Sequence, residues 1–261
     1  MKKLSLVLSF GISILFLFLT QSYSYATVSL IASTKATVTG TTVTTSAIDT
    51  TGANFVIVGT AALSPGDGGG SCTISDSKSN TWVGLTPTDG FFGRTKMFFV
   101  GNATVGSGHT FTITCTLANA PSMMVAAFSH VFAGGNPSDQ EGAGAFKGAT
   151  DPATIQPGSV TPSQNNELVV STLGLFQVTT VISINSGFTI AQTLDGNLTT
   201  FTGSLAYLVQ GTAGAINPTW NYTIQSNSEA VIATFKDDGT VTTSSGVMGG
   251  GVRLAGGAKI K

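Results

Sequence analysis

Charge is what this chain has least of. Only 9% of its 261 residues are Asp, Glu, Lys or Arg, against about 25% in an ordinary soluble domain. Eleven Lys+Arg stand against twelve Asp+Glu, a formal net charge of -1, so there is no basic stripe to neutralise phosphates and nucleic-acid binding is excluded. Leu, Glu and Lys, the usual fillers of helix surfaces, are thin, while threonine outnumbers even the 33 glycines, which argues against a helical bundle. Histidine and cysteine occur twice each, and two cysteines with the distant His109 and His130 lack the ligand spacing of a zinc site. Neither a G-x-S-x-G elbow nor an H-E-x-x-H helix occurs, so the motifs of serine hydrolases and zincins are missing. No cofactor is expected.

What is present begins with a targeting pattern. Lys2 and Lys3 precede an apolar run from Leu4 to Leu19, and Ser24-Tyr25-Ala26 places small residues where a signal peptidase reads. Residues 1–26 are therefore expected to be a signal peptide cleaved after Ala26, because the run is shorter than the ~20 residues of a bilayer span. Loss of Lys2 and Lys3 takes the net charge from -1 to -3. The mature chain is expected to be secreted or at the cell surface, with no membrane contact after cleavage. An exported chain meets oxidising conditions, so Cys72 and Cys115 are expected to form a disulfide. Closing that loop stabilises by roughly 3 to 4 kcal/mol in the chain-entropy model.

From Thr27 onward, short runs of β-branched and aromatic residues alternate with Gly, Asn, Asp and Pro clusters, the pattern of a sandwich or barrel. Phe55 to Val58 and Leu168 to Val170 suit central strands, and Thr110 to Cys115 alternates strictly. Asp76 to Asn80 reads as a turn closed by Asx side chains. The halves repeat each other: Val56 matches Val169, Ile74 matches Ile182, Phe98 and Val100 match Tyr207 and Val209, Phe111 matches Trp220, and Phe128 matches Phe235, always in the same order. The expected fold is all-β, a two-layer antiparallel sandwich, jelly-roll-like or Ig-like, with an internal duplication of about five strands per half. The duplicated body should span 27–236, with halves near 37–130 and 152–236. One merged sandwich is favoured over tandem domains, since Phe146 and Ile155 make the joining segment more than a linker. Residues 237–261 form a Gly-rich tail, read as a solvated end or, alternatively, a strand-adding docking segment.

Four stretches carry a likeness. DSKSNTW, VGNATVGSGHTF, PGSVTPSQNNELVV and the ending IATF resemble a group of secreted β-sandwich proteins of environmental bacteria and their phages. The resemblance covers Val38 to Lys236 and implies fold, export and a bacterial or phage origin. It implies no reaction, because its motifs are turns and strand starts.

The binding candidate is the loop Thr88 to Arg94. Two adjacent phenylalanines, Phe91 and Phe92, cannot both enter one core from an extended, Gly-flanked segment, so one should face solvent. Such a ring stacks on sugar C–H surfaces, while Asp89 and Arg94 offer hydrogen bonds to hydroxyls; the competing reading makes both rings plugs of the sandwich end. Asp139 and Glu141 are the acid pair singled out, read as a solvated loop with a weak alternative as calcium ligands. His109 and His130 are read as satisfied or surface residues. Three functions follow as expectations: a non-enzymatic extracellular structural or adhesive protein first, a carbohydrate-binding module using the aromatic loop second, a polysaccharide hydrolase third. The expected partner is an extracellular glycan or a surface protein.

Overall fold

The computed structural model describes residues 28–63, 71–90, 93–116, 119–129, 132, 136–176, 182–194 and 202–236. The targeting segment, Phe91, Phe92, His130 and the Gly-rich tail lie outside them. The first half contributes β1 (Ser29–Thr37), β2 (Thr42–Thr44), β3 (Phe55–Leu63), β4 (Cys72–Asp76), β5 (Val83–Gly84), β6 (Thr88–Asp89), β7 (Gly93–Gly101), β8 (Phe111–Cys115) and β9 (Asn119–Ser129). The second contributes β10 (Ser138–Glu141), β11 (Ala145–Lys147), β12 (Thr154–Ile155), β13 (Glu167–Leu175), β14 (Ile182–Ile184), β15 (Thr189–Leu194), β16 (Thr202–Gln210), β17 (Trp220–Tyr222) and β18 (Ser228–Phe235). No helix occurs among the described residues, as the β-branched composition requires.

Each half is a two-layer antiparallel sandwich. In the first, a large sheet ordered β1-β9-β3-β7-β5, with β6 also on β7, carries a small sheet ordered β2-β8-β4 on its outer face. In the second, β10-β18-β13-β16-β15, with β11 on β18, carries β12-β17-β14. Val43, Phe111 and Ile113 of the first small sheet pack on Val56, Val58, Phe98 and Val125. Ile155, Trp220 and Tyr222 of the second pack on Leu173, Leu175 and Ala206. The two orders are the same order written twice, which is the duplication in structural form. Cys72 and Cys115 sit directly opposite across β4 and β8 and are disulfide-bonded.

The register shows where the sequence comparison slipped. The sequence spacing sets Phe98 against Tyr207, but Val56 pairs with Val100 while its counterpart Val169 pairs with Leu208. Phe99 is therefore the equivalent of Tyr207. A slip of one residue exchanges the faces of a strand: Phe98 points to the outer cluster, whereas Phe99 and Tyr207 belong to the central one.

Among the described residues no sheet mixes strands of both halves; the halves meet through the inner faces of their large sheets. Phe55, Ile57, Met97, Phe99, Met124 and Phe128 of one half pack with Leu168, Val170, Leu205, Val231 and Phe235 of the other. The rings of Phe55 and Phe235 lie 4.9 Å apart and those of Phe99 and Phe235 5.1 Å, within the range of favourable aromatic pairs. Along the strands this face tapers. Beyond the phenylalanines come Gly59 and Thr172, then a row of Thr88, Thr95, Ala61 and Ser122 opposite a row of Phe146, Glu229, Gly174 and Gly203. A Cβ on Gly174 would lie 2.6 Å from Thr95 Oγ1 and 2.8 Å from the Ala61 Cβ, so the sheets approach too closely there for any other residue.

Candidate functional site

The loop singled out by sequence is a hairpin seated at this narrow end. Asp89 and Arg94 face each other across β6 and β7, and the Gly90 N–H donates to the Gly93 carbonyl at 3.0 Å. Arg94 holds the Asp89 carboxylate with two donors, Nε on Oδ1 and Nη2 on Oδ2 at 3.0 Å. The two charged groups expected to reach ligand hydroxyls thus clamp each other. Phe91 and Phe92, between them, lie outside the described residues. The second half supplies the floor of the hairpin: a Cβ on Gly90 would sit 2.4 Å from Glu229 Oε1 and 3.3 Å from the Phe146 Cβ.

Phe146 is the exposed aromatic of this region. It lies on β11 directly opposite Glu229 on β18 and is 51% exposed, more than any other large hydrophobic among the described residues. Beside it opens a cleft of about 470 Å³ lined by Phe146, Lys147, Thr154, Ile155, Gln156 and Thr219. An aromatic face, an amide, two hydroxyls and an ammonium are the groups that recognise a sugar's C–H surface and its hydroxyls. The sequence reading placed Phe146 in a joining segment and missed it as a site residue, because three residues are too few to show strand alternation.

The acids Asp139, Glu167 and Glu229 are turned inward, whereas Glu141 is exposed. Asp139 and Glu141 do not act together: Glu141 accepts the Thr86 N–H of the other half at 2.8 Å, and Asp139 accepts Lys236 Nζ at 2.8 Å and the Ser163 N–H at 2.8 Å. Burial raises Asp139, but Lys236, Ser163 and the Glu167 carboxyl outweigh it and hold its pKa at about 2. Glu167 is fully buried, and burial, reinforced by the neighbouring Asp139, pushes its pKa up. Glu229, 1% exposed, is pushed up to about 8, first by burial and then by Asp89.

A second constellation escaped the sequence reading. His109 Nδ1 lies 2.9 Å from Thr50 Oγ1, and Nε2 lies 3.4 Å from Asp76 Oδ1. Thr-His-Asp is a catalytic set by residue type, but all three side chains are sealed. The Thr50 hydroxyl also meets the Gly106 N–H at 3.1 Å and carbonyl at 3.2 Å, so no substrate atom reaches it. Asp76 is occupied by Lys78 N–H at 2.7 Å and Trp82 Nε1 at 2.6 Å, the first being the Asx turn the sequence indicates. Burial lowers the His109 pKa against the pull of Asp76, leaving a neutral ring stacked on Phe111. Among the described residues no group of three or more His, Cys, Asp or Glu is placed to hold a metal ion.

Comparison with family models, curated proteins and solved structures finds no match to the chain.

Proposed function

We propose that the chain is an exported, non-enzymatic structural or adhesive protein that presents a rigid double sandwich to an extracellular glycan or surface protein. The observation that carries this reading is the use made of the reactive side chains. Asp76 with His109, Asp139 with Glu167, and Glu229 are all buried and all join strands or halves to each other, where an active site needs them open to substrate. A panel of polysaccharides incubated with the protein tests it. Retention on cell-envelope material without release of sugar supports the reading, and turnover abolished by a single acid-to-amide change refutes it.

The exposure of Phe146 beside the cleft favours a specific form of that role, carbohydrate binding. Here Phe146 is the stacking platform, and Gln156, Thr154 and Lys147 are the hydrogen-bonding groups. A glycan array followed by calorimetry on any hit distinguishes it. Phe146→Ala should weaken binding about 5- to 30-fold, since a stacked aromatic contributes on the order of 1–2 kcal/mol; equal affinity in the variant would remove the cleft from consideration.

A further inference from the structure

In a chain with so few charges, three of them meet at one end of the second large sheet. Asp139 lies on β10, Glu167 opens β13, and Lys236 follows β18, the strand that lies between the other two. Among the described residues the first half has no such set. Leu168 pairs with Phe235 as Phe55 pairs with Phe128, so Asn54 stands where the second half has Glu167, and Ser129 where it has Lys236. The trio is therefore an addition to one copy and not a requirement of the fold.

We propose that Lys236 and Asp139 condense into an intramolecular amide, with Glu167 as the proton-transfer group. The geometry supplies each part. Lys236 Nζ is already 2.8 Å from Asp139 Oδ1, with the Asp139 side chain only 3% exposed and the lysine 37% exposed. Glu167 Oε1 accepts the Gln164 N–H at 3.0 Å and lies 3.4 Å from the Ser163 hydroxyl. Its Oε2 is buried without a hydrogen-bond partner, and the Glu167 and Asp139 carboxyls lie close enough to shift each other's ionisation.

In the resting ion pair the ammonium and carboxylate hold each other charged. Passage of one Lys236 proton to Asp139 leaves a neutral amine against a neutral carboxyl. The nitrogen lone pair then attacks Cγ while Glu167 donates to the carboxyl oxygen, giving a tetrahedral centre. The nitrogen loses its second proton to the Glu167 carboxylate, one oxygen departs as water, and Glu167 ends as it began, protonated. The balance is ammonium plus carboxylate giving amide plus one water, with no oxidant or activated group. The partly exposed lysine end offers that water a way out. Replacing two charges by a neutral amide also relieves the desolvation that burial imposes on Asp139.

Mass spectrometry of the reduced, full-length protein tests the proposal. The expected intact mass is one water below that calculated for the chain as produced, beginning at Thr27 if residues 1–26 are removed. Trypsin should yield the peptide Met97 to Lys147 joined to the peptide that begins at Gly148 and runs through an uncleaved Lys236. Asp139→Ala should restore the full mass and cleavage after Lys236, and Glu167→Gln should do the same in folded protein. A wild-type protein of full mass, cleaved at Lys236, overturns the proposal whatever the variants do. A joined peptide in Glu167→Gln at wild-type yield overturns the role given to Glu167.

Discussion

Glu229 should make the protein lose stability as the solution turns alkaline. Its carboxyl lies in the narrow part of the contact between the halves, under Gly90 and beside Thr95, with Asp89 as the nearby charge. The folded pKa is raised from 4.5 to about 8. A raised acid pKa means that the folded state keeps a proton the unfolded state has given up. The contribution is therefore complete below pH 4.5, declines as pH rises toward 8, and is gone above it. At 1.36 kcal/mol per unit, the full effect is about 4 to 5 kcal/mol, an upper value because water can enter as the acid ionises. That is a large share of the roughly 5–15 kcal/mol available to a domain. Urea or guanidinium titrations at steps from pH 4.5 to 9 measure it. The free energy of unfolding of the natural protein should fall with pH relative to Glu229→Gln, whose side chain cannot ionise. Glu167 titrates in the same direction, and the comparison with Glu229→Gln subtracts it. Two curves that stay parallel from pH 4.5 to 8 would refute the placement of an ionisable group in this contact.

Gly174→Val should cost at least about 1–3 kcal/mol, through overpacking against Thr95 and Ala61, whereas Gly211→Ala, with open space around it, should stay within about 0.5 kcal/mol on the same denaturation assay. Asp76→Ala strands the Trp82 and Lys78 donors and should cost about 3–5 kcal/mol, with a red shift of Trp82 fluorescence as water replaces the carboxylate. Reduction of Cys72–Cys115 should lower stability by about 3–4 kcal/mol for its 43-residue separation and leave the circular dichroism of the native fold unchanged at 25 °C.

Strand identity and duplication were both legible in the sequence because each leaves a local signature. Alternation in Thr110 to Cys115 and the apolar runs at Phe55 and Leu168 are period-two signals that survive without tertiary knowledge. The face of β7 was not legible, since Lys96-Met97-Phe98-Phe99-Val100 is apolar on both sides and its register is fixed only by pairing with Val56. His109 and Asp76 could have been brought together. Once Cys72 is opposite Cys115 in an antiparallel pair, Asp76 must stand opposite Phe111, two residues from His109. Glu167 and Glu229 left no signal, because a single acid at the start of an apolar strand reads as a surface residue until the sheet that covers it is known. Phe146 was hidden for the opposite reason: it is an apolar residue that the fold leaves outside.

The way the halves meet has a consequence for how the molecule responds to dilution. Strand β3 lies on β13, β9 on β16 and β7 on β18, the pattern of two subunits about a dyad. The inner faces that meet are as apolar as a subunit interface of the permanent kind. One chain carrying both copies is thus a dimer whose partner is tethered for life. Its effective concentration is set by the connection between β9 and β10 and not by the number of molecules in solution. A free dimer comes apart on dilution; this arrangement does not. Covalent pairing also frees each copy to change alone, and the lone Asp76–His109 set in one copy and the lone Asp139–Glu167–Lys236 set in the other are what two subunits of identical sequence could never hold.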